Sequence, residues 1–316
     1  MTTQTSICGI HHVTAITADA QKNLDFYCGV LGLRLVKKTV NFDDPGSYHL
    51  YYGDELGRPG TILTFFAWQG AGPGRTGPPQ VTATAFAAPA AGLAFWTDRL
   101  KERGVAPPTL VTRFGEQVLT FTDGDGLRLE IVFSAQPGGQ PWLSGPVPAE
   151  YALRGLHGVT MLEEDCEATG RFLQGEMGFQ AEGIEQNRRR YRAGAGDALG
   201  TVVDLLCVAN ASGPRLGAGV VHHLAFRAAD DGQQASLRER FESLGFKPSA
   251  VMDRNYFRSI YLPEPGGVLF EFATDAPGFT VDQPAEQLGA RLMLPPWLED
   301  RRAEIESALP SLKIPN

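Results

Sequence analysis

One pattern recurs four times along the 316 residues and limits what the chain can fold into. A strand-like stretch runs into an amphipathic helix, the helix stops at a glycine followed by an apolar residue, and short strand-like stretches return. The copies open at GIHHVTAIT (9–17), VTATAFAAP (81–89), GLHGVTMLE (155–163) and VVHHLAFRA (220–228). Their helices stop at Gly32, Gly104, Gly178 and Gly245, followed by Leu33, Val105, Phe179 and Phe246. Glycine there permits the left-handed turn that ends a helix, and the apolar residue packs back on the last turn. Repetition at this period means one supersecondary unit used again. Each copy reads as βαβββ, so the expected class is α+β with four such modules.

The register between copies follows from the glycines. Counting back, His12, Ala83, Gly158 and His223 are equivalent. Counting forward to the last strand of each copy, Phe65, Glu130, Leu205 and Glu271 are equivalent, at intervals of 33, 26, 27 and 26. A longer loop in copy one, around NFDDPGSYHLYYGDELGRPG, accounts for the first interval and holds His49, which the pattern does not assign. The chain therefore divides into an N-terminal half (7–135), a Pro- and Gly-rich linker (136–151), a C-terminal half (152–275) and an extension (276–316) whose WLEDRRAEIESALPSL stretch has helical periodicity.

Alternation places the chemistry. On GGVLFEF (266–272), Val268, Phe270 and Phe272 form the face that packs beneath a helix, leaving Glu271 on the other. On VVHHLAFRA, His222 sides with Leu224 and Phe226, so His223 faces the open side and His222 the packed one. Only copies one and four supply a histidine at the first slot. If those two copies pair, His12, His223 and Glu271 meet, while Glu130 lacks a histidine partner and His157 stands beside a glycine in the ligand slot. Two imidazoles and one carboxylate form a facial set that leaves three positions open, the preference of non-heme Fe(II). Phe65 in the fourth slot removes a fourth ligand.

The net charge of −8 and pI near 5.3 give no footprint for nucleic acid or an anionic membrane. No leader-like stretch or membrane span is legible. Cys8, Cys28, Cys166 and Cys207 are scattered without a CxxC pair and read as buried free thiols, which suits a cytoplasmic protein.

At HHVTAIT, GSYHLYYGDELGRPGT, TRFGEQ, RYRAGAGDALGTVVDLL, VVHHLAFRA and RNYFRSIYLPEPGGVLFEF, the chain resembles the vicinal oxygen chelate superfamily, and within it the hydroquinone-type ring-cleaving dioxygenases. The resemblance implies a two-domain fold in which modules 1 and 4 pair around the metal and 2 pairs with 3. It implies metal ligation by His12, His223 and Glu271, with His11, Tyr261 and Arg254 as catalytic residues around them. The implied cofactor is Fe(II), with Mn(II) or Zn(II) as alternatives in purified protein. The partners would be a small aromatic diol, hydroquinone or catechol, and O2, with homo-oligomerisation left open. The loops before Arg254 and after Ala135 agree least with the family and are expected to set substrate choice. Two other readings stand beside this one: a glyoxalase-like isomerase or lyase, and a metal-free small-molecule binding protein of the same fold.

Overall fold

The computed structural model describes residues 6–194 and 198–314, so residues 195–197 of the RYRAGAGDALG stretch lie outside the described residues. Module one contains β1 (Ile10–Thr17), α1 (Ala20–Leu24, continued as a π-helix over Asp25–Val30), β2 (Arg34–Asn41), β3 (Asp44–Gly53) and β4 (Ile62–Ala67). Module two contains β5 (Gln80–Pro89), α2 (Leu93–Glu102), β6 (Thr109–Arg113), β7 (Glu116–Thr122) and β8 (Arg128–Ser134). Module three contains β9 (Gly155–Glu163), α3 (Cys166–Gly175), β10 (Gln180–Glu185), β11 (Arg188–Arg192) and β12 (Val202–Cys207). Module four contains β13 (Val221–Ala228), α4 (Asp231–Ser243), β14 (Met252–Asp253), β15 (Arg258–Pro263) and β16 (Leu269–Thr274). The extension adds short 3-10 turns and α5 (Arg302–Ala308).

The four helix stops are built as the glycines require. Gly32, Gly104, Gly178 and Gly245 have φ of 71°, 74°, 76° and 86°, and the N–H of each following apolar residue donates to the preceding helix, as Phe246 does to the Phe241 carbonyl at 3.0 Å. At the other end of α1, Asp19 caps it by accepting from the N–H groups of Gln21 and Lys22.

Two curled eight-stranded sheets result. One runs β14-β15-β16-β13-β1-β4-β3-β2, the other β10-β11-β12-β9-β5-β8-β7-β6. Module 1 thus joins module 4 through β1 and β13, and module 2 joins module 3 through β5 and β9. Each sheet contains one module from each half of the chain. Between the sheets the helices supply apolar side chains to a common core, where Phe172 of α3 meets Phe241 of α4 (ring centroids 5.5 Å) and Phe270 of β16 (6.4 Å).

The structure corrects two readings. Cys166 and Cys207 are not free thiols: they form a disulfide between the start of α3 and the end of β12, while Cys28 is free and buried and Cys8 free and exposed. The two cysteines are 41 positions apart in sequence, and only the return of β12 alongside β9 brings them together. The longer loop of copy one is the connection between β3 and β4 at residues 54–61, but His49 is not in it: β2 and β3 form a hairpin with a turn at Phe42 and Asp43, and His49 lies on a central stretch of β3.

Candidate metal centre

Antiparallel pairing sets His12 of β1 opposite Ala225 of β13, and Thr14 opposite His223. Parallel pairing sets Ala225 opposite Glu271 of β16, and Tyr261 of β15 follows opposite Glu271. Directly opposed residues share a face, so Tyr261, Glu271, Ala225 and His12 form one row across four strands. The methyl group of Ala225 is small enough for His12 and Glu271 to meet above it. His223 belongs to the adjacent row, two residues along β13 on the same face.

The ligand atoms of His12, His223 and Glu271 lie within 4.8 Å of one another, and all three residues are buried. Oε2 of Glu271 is 2.9 Å from His223 Nε2 and 3.4 Å from His12 Nε2, yet neither contact is directed as a hydrogen bond, and this oxygen is buried without a partner. Its other oxygen accepts from the Ser259 hydroxyl. Burial pushes the Glu271 carboxyl up, but His12 and His223 outweigh it and hold it well below the usual carboxylate range. Two ring nitrogens and an orphaned carboxylate oxygen at this spacing fit a divalent cation.

Each of the two histidines is braced by the one before it. Nδ1 of His12 is 2.8 Å from Nδ1 of His11, and Nδ1 of His223 is 2.8 Å from Nδ1 of His222. Burial, then the neighbouring His12, lowers the pKa of His11, and burial, then His223, lowers that of His222 to about 3. Neutral His11 and His222 can each accept at Nδ1, which leaves Nε2 of His12 and His223 as the free donor atom.

The expectation that His222 turns to the packed face is corrected. Register shifts between Thr14 and Ala15, opposite Val221 and His223, leaving His222 as an unpaired bulge residue. Bulges re-aim side chains, and His222 turns into a cavity of about 220 Å3 beside Phe66 and Trp68. His11 is the matching bulge residue of β1. It lines a separate cavity of about 170 Å3, with Phe257 against both its own ring and that of His12. Of the sequence-assigned residues, Tyr261 and Arg254 line the larger cavity with His12, His223 and Glu271. Arg254 Nε donates to the Tyr261 hydroxyl at 3.1 Å.

The fourth slot also changes. Thr64, not Phe65, stands opposite Thr14, as Glu271 stands opposite Ala225. Phe65 points into the core against Tyr27. In module 3 the same slot is Asp204, opposite Thr160, rather than Leu205. Both slots were counted one residue too far along the strand, and one residue inverts a strand's faces. The second row then reads Tyr51, Thr64, Thr14, His223, the pseudo-twofold image of Tyr261, Glu271, Ala225, His12. Its Thr64 hydroxyl is 2.6 Å from Nε2 of His49, whose Nδ1 is 3.0 Å from the Tyr51 hydroxyl. Tyr51, Thr64 and Ser259 were not singled out from sequence, His49 was left unassigned and His222 was turned to the other face. The alternation of His49 and Tyr51, matching Ser259 and Tyr261, was the available signal.

In the other sheet the equivalent cup is filled. Arg113 Nη1 donates to both oxygens of Glu130 at 2.8 and 2.7 Å, and Arg190 pairs with Asp204 at 2.8 Å. His157 is engaged by Glu116 at 3.0 Å. These carboxylates are neutralised by guanidinium groups, and among the described residues His12, His223 and Glu271 form the sole cluster suited to a metal.

Residues 9–131 and 155–272 match the Glyoxalase/Bleomycin resistance protein/Dioxygenase superfamily. A Bacillus subtilis (strain 168) protein bearing the provisional name ring-cleaving dioxygenase MhqO is 48% identical over 301 residues, 95% of each chain. The chlorohydroquinone/hydroquinone 1,2-dioxygenase of Sphingobium indicum is 39% identical over 303 residues, 94% of each chain. A crystal structure from Bacillus subtilis, provisionally named a dioxygenase, superposes with a TM-score of 0.94 at 46% identity, covering 98% of this chain and 99% of the other. Glyoxalase I of Zea mays shares the fold, with a TM-score of 0.62 at 14% identity over 84% of this chain and 92% of its own.

Proposed function

Because the chain belongs to the Glyoxalase/Bleomycin resistance protein/Dioxygenase superfamily, we propose that it is an Fe(II)-dependent ring-cleaving dioxygenase, opening a one-ring aromatic diol of the hydroquinone type with O2. The observation that carries this reading is the three-donor set itself. His12, His223 and Glu271 would hold the metal, and the fourth slot offers only the Thr64 hydroxyl, already engaged by His49. Fe(II) bound to such a set supplies adjacent open positions and redox capacity for a diol and O2 together. Relatives named for ring cleavage and for hydroquinone support the substrate class.

The chain's own residues supply the rest. A cavity of about 150 Å3 accommodates benzene, so about 220 Å3 has room for one substituted ring beside the three donors. Phe66 and Trp68 give the cavity an apolar wall beside His222, against which a ring can pack. Burial, then the charge of Glu271, pushes the Tyr261 hydroxyl well above its ordinary pKa, so it stays protonated and donates to oxygen on which negative charge develops. Neutral His222, accepting at Nδ1 from His223, presents Nε2–H to a ring hydroxyl.

The test is reconstitution with Fe(II) under nitrogen, then O2 uptake on a panel of hydroquinones and catechols. Stoichiometric uptake with one-ring hydroquinones is expected. Absence of uptake across the panel, with turnover of a carbonyl substrate in the absence of O2, would replace this reading with a Lewis-acid isomerase.

A further inference from the structure

We propose that Asp43, at the tip of the β2–β3 hairpin, is a positioning residue that sets the Arg254 guanidinium and, through it, the Tyr261 hydroxyl. This inference rests on the reading of the cavity as a dioxygenase site. Arg254 is the only guanidinium lining that cavity among the described residues. Its backbone is firmly held: Arg254 N–H donates to the Phe257 carbonyl, and Tyr256 N–H to the Arg254 carbonyl. The next turn is pinned by Tyr256, whose hydroxyl donates to Asp282 at 3.0 Å.

The tip of the side chain is held differently. Nε donates to Tyr261 at 3.1 Å, Nη1 to Asp43 at 3.0 Å, and Nη2 makes only a long contact of 3.6 Å with Met252 sulfur. The guanidinium also stands over the Tyr261 ring at 5.3 Å, and Asp43, itself on the rim of the cavity, supplies the one carboxylate hydrogen-bonded to it. It reaches across the seam between modules, since the hairpin belongs to module 1 and Arg254 to module 4.

Asp43 is itself built into place. Its N–H donates to the Asn41 side chain at 3.1 Å, and the neighbouring Phe42 ring packs edge-on against Trp297 of the extension at 5.6 Å. An ion pair whose carboxylate is 63% exposed adds little to stability. Its consequence is orientation. Arg254 donates to the Tyr261 oxygen, which leaves the phenolic proton for an acceptor in the cavity that Tyr261 lines. Without Asp43 the guanidinium can swing to solvent and Tyr261 loses that preference. The loss falls on the step in which Tyr261 donates, not on ring binding.

Two measurements test this. The first is steady-state kinetics of the Fe(II)-loaded Asp43→Asn, Asp43→Glu and Tyr261→Phe variants and of the Asp43→Asn/Tyr261→Phe double variant. The expected result is a kcat roughly tenfold lower in Asp43→Asn with KM changed less than about threefold, recovery in Asp43→Glu, and an effect under about twofold when Tyr261 is already Phe. The second needs no turnover: fluorine NMR of protein labelled with 3-fluorotyrosine, with the Tyr261 resonance assigned by its loss in Tyr261→Phe. Asp43→Asn should shift or broaden that resonance and Asp43→Glu restore it. An unmoved resonance, an equal kcat loss in the Tyr261→Phe background, or a rise in KM alone overturns the proposal. If wild-type protein consumes no O2 with any diol, the dioxygenase reading fails separately and the NMR result still decides the role of Asp43.

Discussion

His12 and His223 are each the second member of a histidine pair, and the first member acts on the second through one Nδ1–Nδ1 contact. Such supporting contacts fix the tautomer and orientation of a ligand. His11→Ala should therefore weaken Fe(II) retention about 10–100-fold, read by competition with a chelator, while Glu271→Ala should lose the metal altogether. Full activity in Glu271→Ala would contradict the proposed centre. Thr64 marks the other half of the cup. Because it is the register equivalent of Glu271, Thr64→Glu should keep stoichiometric metal by offering a fourth ligand and lower O2 uptake by more than an order of magnitude. Unchanged uptake would mean that position 64 does not reach the metal. The two histidines and Glu271 were legible because period-2 alternation and repeat register both point at them. Thr64 was not, because module 1 is longer between its helix stop and β4, and a one-residue miscount over that stretch exchanges the core face for the open one.

Elements repeat this division. The four helix stops were readable because a positive φ demands glycine wherever the helix ends. The bulges at His11 and His222 were hidden, since a bulge is a mismatch between two strands and exists only once their pairing is chosen. The extension was legible as helical, and its attachment was not. Lys37 of β2, fully buried, donates to Asp282 at 2.6 Å, to the Phe279 carbonyl at 3.0 Å and to Gln283 at 3.2 Å. It thereby ties the extension to the sheet edge that carries Asp43. Asp282→Ala leaves a buried ammonium without its counter-charge and should cost about 3 kcal/mol, seen as a lower urea midpoint. An unchanged midpoint would show that Gln283 and the Phe279 carbonyl suffice.

Across the whole molecule, the two sheets meet at an acidic contact. Glu163 ends β9 of one sheet, and Glu264, which follows β15 of the other, accepts from the Thr169 hydroxyl of α3 at 2.8 Å. Burial, then the nearby Glu264, pushes the Glu163 carboxyl up to about 8, and its Oε1 is buried without a partner. The folded-state pKa lies above the unfolded one, so the stability associated with this group is fully present below about pH 4.5 and declines as pH rises toward 8. Glu163→Gln should flatten that slope and raise stability at pH 8 by about 2 kcal/mol, measured by denaturant unfolding at pH 5 and pH 8. A variant with the wild-type slope would rule out Glu163 as its source.

The sequence by itself determined the repeating unit and its helix stops and pointed to the two histidines and one glutamate that the fold brings together, because periodicity and backbone stereochemistry are local. Tertiary structure decided that β1 lies against β13, joining the two ends of the chain, and that β5 lies against β9. From that pairing follow the position of Thr64, the bulged His222, the Cys166–Cys207 bond and the reach of Asp43 to Arg254. Each depends on the register between strands far apart in sequence, which no local pattern encodes.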